Sequence, residues 1–88
     1  MLEKDIERAF NKRIKELGGT AEKFTSPGRR SVPDRLVTLP GGDIFFVELK
    51  APGKKPTEAQ LRDHDRRRAL GCDVYVIDNM EDARAFKR

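Results

Sequence analysis

The sequence is poor in cysteine, histidine and long apolar runs, and each shortage excludes a class of protein. Cys72 is the single cysteine in 88 residues, so no disulfide can form within the chain, and we expect a reducing compartment. With one cysteine and one histidine, no zinc-binding pattern is present. No apolar run approaches the ~20 residues that a membrane-spanning helix needs, and the first residues have no signal-peptide character. The composition predicts a soluble, cytoplasmic domain.

Hydrophobic residues are also scarce, at 36% of the chain against 39% for charged residues. A single domain of this size and composition has a thin core, and a second copy of the chain often covers apolar surface in such cases. The net charge of +4 and the isoelectric point near 9.5 favour a polyanionic partner, although acidic residues are also numerous.

Apolar periodicity and turn residues predict the order of the secondary-structure elements. The expected elements are a helix over 2–17, strands over 20–25, 35–39 and 44–49, a helix over 57–70, a strand over 73–77 and a last helix reaching residue 86. This αβββαβ(α) order predicts an α/β fold with a small mixed four-stranded sheet flanked by helices. The crossover between the third and fourth strands favours parallel pairing. The fourth strand is apolar on both faces, so we expect it inside the sheet.

Two opposite charges, Glu48 and Lys50, lie at the end of the strongly apolar third strand. Their spacing of two places both side chains on one face of the sheet, where burial is costly unless a metal, a partner or a reaction compensates it. A two-residue hairpin loop before this strand would turn Asp34 to the opposite face, whereas a three- or five-residue loop would put Asp34 on the face of Glu48. We predict the arrangement in which Asp34 and Glu48 share a face.

Asp34, Glu48 and Lys50 together suit metal-assisted phosphodiester hydrolysis. Two carboxylates converging from adjacent strands bind a hard cation such as Mg²⁺ through oxygen, and the backbone carbonyl of Leu49 could add a further oxygen ligand. A lysine beside the cation can orient or help deprotonate the attacking water and stabilise the developing negative charge. No small-molecule cofactor and no serine or cysteine nucleophile are required. The alternative is a loop carboxylate near an ordinary surface Glu–Lys pair.

The chain resembles a stand-alone virus-type replication-repair nuclease (VRR-NUC) domain of the PD-(D/E)xK superfamily. The matching segments are Glu3-x-x-Ile6, Lys23-Phe24, Val32-Pro33-Asp34, Leu39-Pro40-Gly41-Gly42, Phe46-Val47-Glu48-Leu49-Lys50-Ala51-Pro52-Gly53, Gln60 and Gly71. The resemblance implies a restriction-endonuclease-like core and a phage- or prophage-encoded nuclease that acts in the bacterial cytoplasm with Mg²⁺ or Mn²⁺. It also implies that Asp34 and Glu48 bind the metal, that Lys50 is the catalytic lysine, and that a helix-one glutamate lies at the metal. Glu3 matches that position best, and Glu7 is the alternative.

Several polar residues of the two helices have a second interpretation. Glu3 and Glu7 are one turn apart and also suit simple complementation of the helix dipole. The resemblance implies that Gln60 lies near the scissile phosphate, yet Gln60 also fits a capping box that begins at Thr57. RecB-type relatives carry tyrosine four residues after this glutamine. Here that position is His64, for which we expect a solvated or packed role rather than metal binding.

Basic residues in loops and strand ends are candidates for contacts with DNA phosphates. These candidates are Lys23, Arg29, Arg30, Arg35, Lys54 and Lys55. The arginines at 62 and 66–68 either join them or form surface pairs with Asp63 and Asp65. By resemblance to junction resolvases, we expect a homodimer that cuts branched DNA, above all four-way junctions. The alternatives are a nicking or flap-directed phage nuclease, a non-catalytic DNA-binding module and a protein-interaction domain.

Overall fold

The computed structural model describes all 88 residues and confirms the predicted order of elements. The elements are α1 (Glu3–Glu16), β1 (Thr20–Lys23), β2 (Arg35–Leu39), β3 (Asp43–Leu49), α2 (Glu58–Ala69), β4 (Val74–Ile77) and α3 (Met80–Arg84). They form an α/β fold with one four-stranded mixed sheet flanked by helices. No helix is long and apolar enough to cross a bilayer.

Helix α1 buries the apolar stripe that its sequence spacing predicts. Ile6, Phe10 and Ile14 are fully buried, because residues three and four apart lie on one face of a helix. The helix ends at Glu16, and Gly18, two residues later, has a φ of +84°, which suits glycine better than any residue with a side chain. The next residue, Gly19, donates its N–H to the carbonyl of Ile14 at 2.9 Å and leads the chain into β1.

The β2–β3 hairpin has a three-residue loop, and this loop decides the register of the sheet. Leu39 pairs with Asp43, and Arg35 pairs with Val47. Gly41 and Gly42 have φ values of 90° and 76°, which allow the tight connection. Side chains alternate along a strand, so residue 34, just before β2, lies on the face of Glu48. The predicted face-sharing register is confirmed.

The sheet order β1-β2-β3-β4 places β4 at an edge, so the prediction of an internal fourth strand is wrong. The parallel pairing of β3 with β4 is confirmed. The error has a physical cause, because helices on both sides of the sheet can bury both faces of an edge strand. Ile77 joins the core on the α1 side, whereas Val74 is buried on the opposite side, and Val76 is still 37% exposed.

The two faces of the sheet differ in chemistry. The α1 and α3 side holds a ten-residue hydrophobic core to which β3 contributes Phe45, Val47 and Leu49. The opposite face is covered by α2, whose buried residues are Asp63 and His64. The few apolar residues of α2 do not form its buried face, since Leu61 and Leu70 are 44% and 75% exposed. A polar layer therefore lies over the face that carries Glu48.

Two elements end two residues earlier than predicted. Strand β1 ends at Lys23, and the chain then forms a tight turn in which the N–H of Arg29 donates to the carbonyl of Ser26 at 3.1 Å. Helix α3 ends at Arg84, and Phe86 follows as a non-helical residue. Its ring packs edge-on against Phe10, so hydrophobic burial rather than helix formation holds the chain end.

Candidate active site

Asp34, Glu48 and Lys50 lie together at one end of the sheet, on the face that α2 covers. The Nζ atom of Lys50 is 3.2 Å from Oε2 of Glu48. The backbone N–H of Leu49 donates to Oδ2 of Asp34 at 2.9 Å, which fixes that carboxylate beside β3. Pro33 is fully buried immediately before Asp34, so the path of the chain into β2 is also fixed.

The carboxyl group of Glu48 is buried, and its charge is poorly compensated. Its side chain is 1% exposed, and its Oε1 atom is buried without a hydrogen-bond partner. Burial, together with the negative charge of Asp34, raises the pKa of Glu48 to about 7, although Lys50 opposes the shift. The protein thus holds two carboxylates side by side with an acceptor oxygen left open.

The donor set at this position fits a hard divalent cation. Asp34 and Glu48 offer carboxylate oxygens, and the open Oε1 of Glu48 is the kind of atom that such a cation would satisfy. No group of three or more His, Cys, Asp or Glu side chains is assembled closely enough to hold a metal. The remaining ligands would have to come from a backbone carbonyl, water or a substrate phosphate, as is common for Mg²⁺.

The helix-one glutamates do not join the two carboxylates. Glu7 lies 3.6 Å from Arg35, on the α1 side of the sheet, whereas Glu3 is exposed at the start of α1 and forms no ion pair. Arg35 is only 6% exposed, so burial removes it from the predicted set of DNA contacts. Because side chains alternate along a strand, the side chain of Arg35 lies on the α1 face, opposite to that of Asp34. Of the two glutamates, Glu3 is the one left free for a further partner.

Gln60 forms the predicted capping box and also contacts the candidate site. Its Oε1 accepts from the N–H of Thr57 at 2.9 Å, and its own N–H donates to Oγ1 of Thr57 at 3.1 Å. These two bonds form the predicted capping box at the start of α2. The Nε2 atom of the same side chain donates to Oε2 of Glu48 at 3.3 Å. One amide therefore ties the helix start to the candidate site.

His64 is packed directly against Glu48, in agreement with the packed role that its position predicts. The side chain is fully buried, and its Nε2 lies 3.6 Å from Oε1 of Glu48. Burial, with the positive charge of Arg68 nearby, lowers the pKa of His64, so the ring is neutral at neutral pH. The spacing of four between Gln60 and His64 places both side chains on one helix face, and this is the sequence signal that could have identified the contact of His64 with Glu48.

The other basic candidates are on the surface. Lys23, Arg29, Arg30, Lys54 and Lys55 are all exposed. On α2, Arg66 and Arg67 donate to Asp63 at 2.8 and 2.7 Å, which confirms the alternative of ion pairs for these two. The guanidinium of Arg67 also covers the rings of Phe24 and Phe46, and Arg68 pairs with Asp65 at 3.5 Å.

Comparison with known proteins places this architecture among nuclease-related chains. No family model matches the sequence. A protein of Acyrthosiphon pisum secondary endosymbiont phage 1 named "Putative nuclease p44" is 56% identical over 79 residues, which are 90% of this chain and 85% of the phage protein.

A solved structure described as a VRR_NUC domain superposes with a TM-score of 0.87 and 38% sequence identity. The superposition covers 92% of this chain and 88% of the solved one. Identity at this level over nearly the full length of both chains, together with the shared fold and the Asp34, Glu48 and Lys50 arrangement, shows that this chain belongs to the VRR-NUC domain family.

Proposed function

We propose that this chain is a divalent-metal-dependent endonuclease that hydrolyses phosphodiester bonds in DNA. The observation that carries the proposal is the buried Glu48, held beside Asp34, with Lys50 at 3.2 Å and Oε1 left without a partner. Shifted pKa values are concentrated at functional sites, and burial beside Asp34 raises the pKa of Glu48 to about 7. The nuclease name of the phage relative agrees with this assignment.

In this proposal Asp34, Glu48 and the carbonyl of Leu49 would hold Mg²⁺ or Mn²⁺, with water or substrate oxygens as the remaining ligands. When bound, the metal supplies charge neutralisation at the scissile phosphate and activation of water. Asp34 and Glu48 contribute a fixed pair of oxygen donors, because the N–H of Leu49 and the amide of Gln60 restrain them. Preorganised donors of this kind do not have to reorient during the reaction.

Lys50 is the proposed catalytic lysine. Its ammonium group lies beside Glu48 and is 17% exposed, so it can reach a substrate phosphate at the surface. A donated hydrogen bond from Nζ to a phosphate oxygen would stabilise the charge that develops as the attacking water adds. Gln60 and His64 cover Glu48 from α2, and this cover keeps bulk water away from the buried carboxylate.

For the substrate we propose branched DNA cut by a homodimer. Exposed apolar side chains, namely Ile44 at 56%, Leu70 at 75% and Val76 at 37%, are surface that a second copy of the chain could cover. Two sites in one dimer could cut two opposed strands of a junction. A nicking or flap-directed nuclease is the second candidate, and the phage origin of the relative supports a role in phage replication or packaging. Either activity would take place in the cytoplasm of a bacterial host.

The test is cleavage of end-labelled linear, flap and four-way-junction DNA with Mg²⁺, Mn²⁺ or EDTA. We expect metal-dependent cutting that is lost by at least about 100-fold in Asp34→Ala and Lys50→Ala, but retained in Lys12→Ala on the opposite helix. Sedimentation of the same samples would give the oligomeric state. If the folded, metal-loaded parent leaves every substrate intact, or if both site variants cut normally, the proposal is wrong.

A further inference from the structure

An arginine-rich cleft lies between the turn at 28–31 and helix α2, next to the candidate active site. The cleft encloses about 420 Å³. Its charged lining consists of Arg29, Arg30, Arg62, Arg66 and Asp63. Four guanidinium groups against one carboxylate leave the cleft with three positive charges in excess. A cavity of this composition attracts an anion.

Asp63 holds arginines of the cleft in place, but its single negative charge does not neutralise their positive charges. Its side chain is 4% exposed and accepts from Arg66 at 2.8 Å and from Arg67 at 2.7 Å, with Arg29 at 3.8 Å. The carboxylate thus joins the turn to the helix and orients the arginines around it. A buried aspartate held by arginines from two segments is a built arrangement rather than a chance grouping of surface charges.

Arg30 and Arg62 are the two cleft arginines that remain available. Both are exposed, and neither takes part in an ion pair or a side-chain hydrogen bond, whereas Arg29 and Arg66 pair with Asp63. A guanidinium presents several N–H donors in a plane, which matches the oxygens of a phosphate group. The free donors on opposite sides of the cleft therefore favour a phosphate as the occupant.

The position of the cleft relates it to the candidate active site. Gln60 and His64 face Glu48 from α2, while Arg62 and Arg66, on a neighbouring face of the same helix, line the cleft. From residue 60 to residue 66 a helix rises about 9 Å. The cleft therefore lies within a few nucleotides, along a bound strand, of a phosphate held at Glu48.

We propose that this cleft is a second phosphate-binding site, which holds an internal backbone phosphate of the cut strand a few nucleotides from the scissile bond. The inference rests on the proposed nuclease function and specifies how that site aligns its substrate. The cleft has no contact with the reacting atoms, so it contributes to binding and register rather than to the chemical step.

The test compares Arg30→Gln, Arg62→Gln and the double variant with Arg8→Gln, a matched change at an exposed arginine of α1. Each cleft variant is expected to raise KM by about 3- to 10-fold, to leave kcat within about twofold, and to reduce the slope of log affinity against log salt by about one. Arg8→Gln is expected to match the parent. Folding should be preserved, because Arg30 and Arg62 have no ion pairs to lose.

The nature of the phosphate is tested with oligonucleotides that carry a single neutral methylphosphonate. The neutral linkage is placed in turn at each position within a few nucleotides of the cut. At one of these positions it should weaken binding to the parent but not to the double variant. If removal of a 5′-terminal phosphate reproduces this loss instead, the cleft binds a chain end and the backbone assignment is wrong. Cleft variants that behave like Arg8→Gln while the parent still cuts DNA would overturn this inference alone. A parent that neither binds nor cuts DNA would overturn the proposed function.

Discussion

The candidate site depends on Glu48, a titratable residue in a buried and otherwise apolar strand. Every other residue from Phe45 to Leu49 can be satisfied by apolar packing or by the sheet ladder, whereas Glu48 brings a titratable group into the same buried strand. Lys50 and Gln60 each contact Oε2, and Oε1 has no hydrogen bond. A residue held in such a state destabilises the metal-free protein, and a bound cation would relieve the cost.

The raised pKa of Glu48 predicts that the free energy of unfolding of the metal-free protein depends on pH. The folded pKa of Glu48, about 7, lies above its ordinary value of 4.5, so the folded state binds the extra proton between these two values. Stability attributable to Glu48 is therefore complete below pH 4.5 and is lost as the pH rises through 7. Glu48→Gln removes this loss, and we expect the variant to gain ~1–3 kcal/mol relative to the parent between pH 5 and pH 8.

The measurement is urea denaturation of parent and Glu48→Gln in EDTA at several pH values. The lowered pKa of His64 acts in the opposite direction, so the difference between the two proteins is the informative quantity. Mg²⁺ at pH 8 should stabilise the parent and not the variant. Parallel pH profiles for the two proteins would contradict the prediction.

Gln60 allows helix capping and support of the site to be separated by mutation. Thr57→Ala removes the side-chain acceptor of the cap and is expected to cost about 1 kcal/mol of stability with little change in kcat. Gln60→Ala loses its part of the cap and also the bond to Glu48, so we expect kcat to fall by about a further 10-fold. Urea denaturation and single-turnover cleavage would measure the two effects. Equal kcat values in both variants would show that the contact with Glu48 has no catalytic consequence.

At the scale of elements, the turn that follows α1 packs closely against strand β2 of the hairpin. A Cβ atom on Gly19 would lie 2.3 Å from the carbonyl oxygen of Thr38 and 2.7 Å from Cδ2 of Leu39. Thr38 pairs with Thr20 in the β1–β2 ladder, so its carbonyl cannot move away without disturbing the sheet. Gly19 is required for space rather than for a positive φ.

Gly19→Ala is therefore expected to destabilise the fold by about 2–3 kcal/mol. The control is Gly71→Ala, where φ is +95° but no atom lies within 4 Å of the added carbon, and where we expect a cost of about 1 kcal/mol. The free energy of unfolding in urea would distinguish the two glycines. An equal cost at both positions would refute the steric argument.

At the scale of the whole molecule, the hydrophobic core and the candidate active site lie on opposite faces of the sheet. One face holds the hydrophobic core, closed by the stacking of Phe86 on Phe45. The other face carries Glu48 under the polar side chains of α2. Helix α2 is a poor amphipathic helix because it covers this face with polar side chains: Gln60 and His64 contact Glu48, and Arg67 covers the rings of Phe24 and Phe46. In the proposed function, the exposed arginines of α2 are available to nucleic acid.

Much of this organisation could be predicted from local sequence. Helix α1, the hairpin strands and the capping box depend on periodicity, turn residues and neighbours within four positions, and each was confirmed. The carboxylate pair could also be predicted, because the side-chain period of a strand is exact once the hairpin loop has three residues.

Only the tertiary structure decided which surfaces meet across the fold. The edge position of β4, the burial of Arg35 against Glu7 and the packing of His64 on Glu48 depend on contacts between elements far apart in sequence. Local propensity does not encode such contacts, because it reflects the preference of a residue for helix or strand and not the distant residue against which its side chain will pack. The sequence by itself determined the elements and the Asp34, Glu48 and Lys50 set. The packing of α2 across the sheet determined the polar environment of that set.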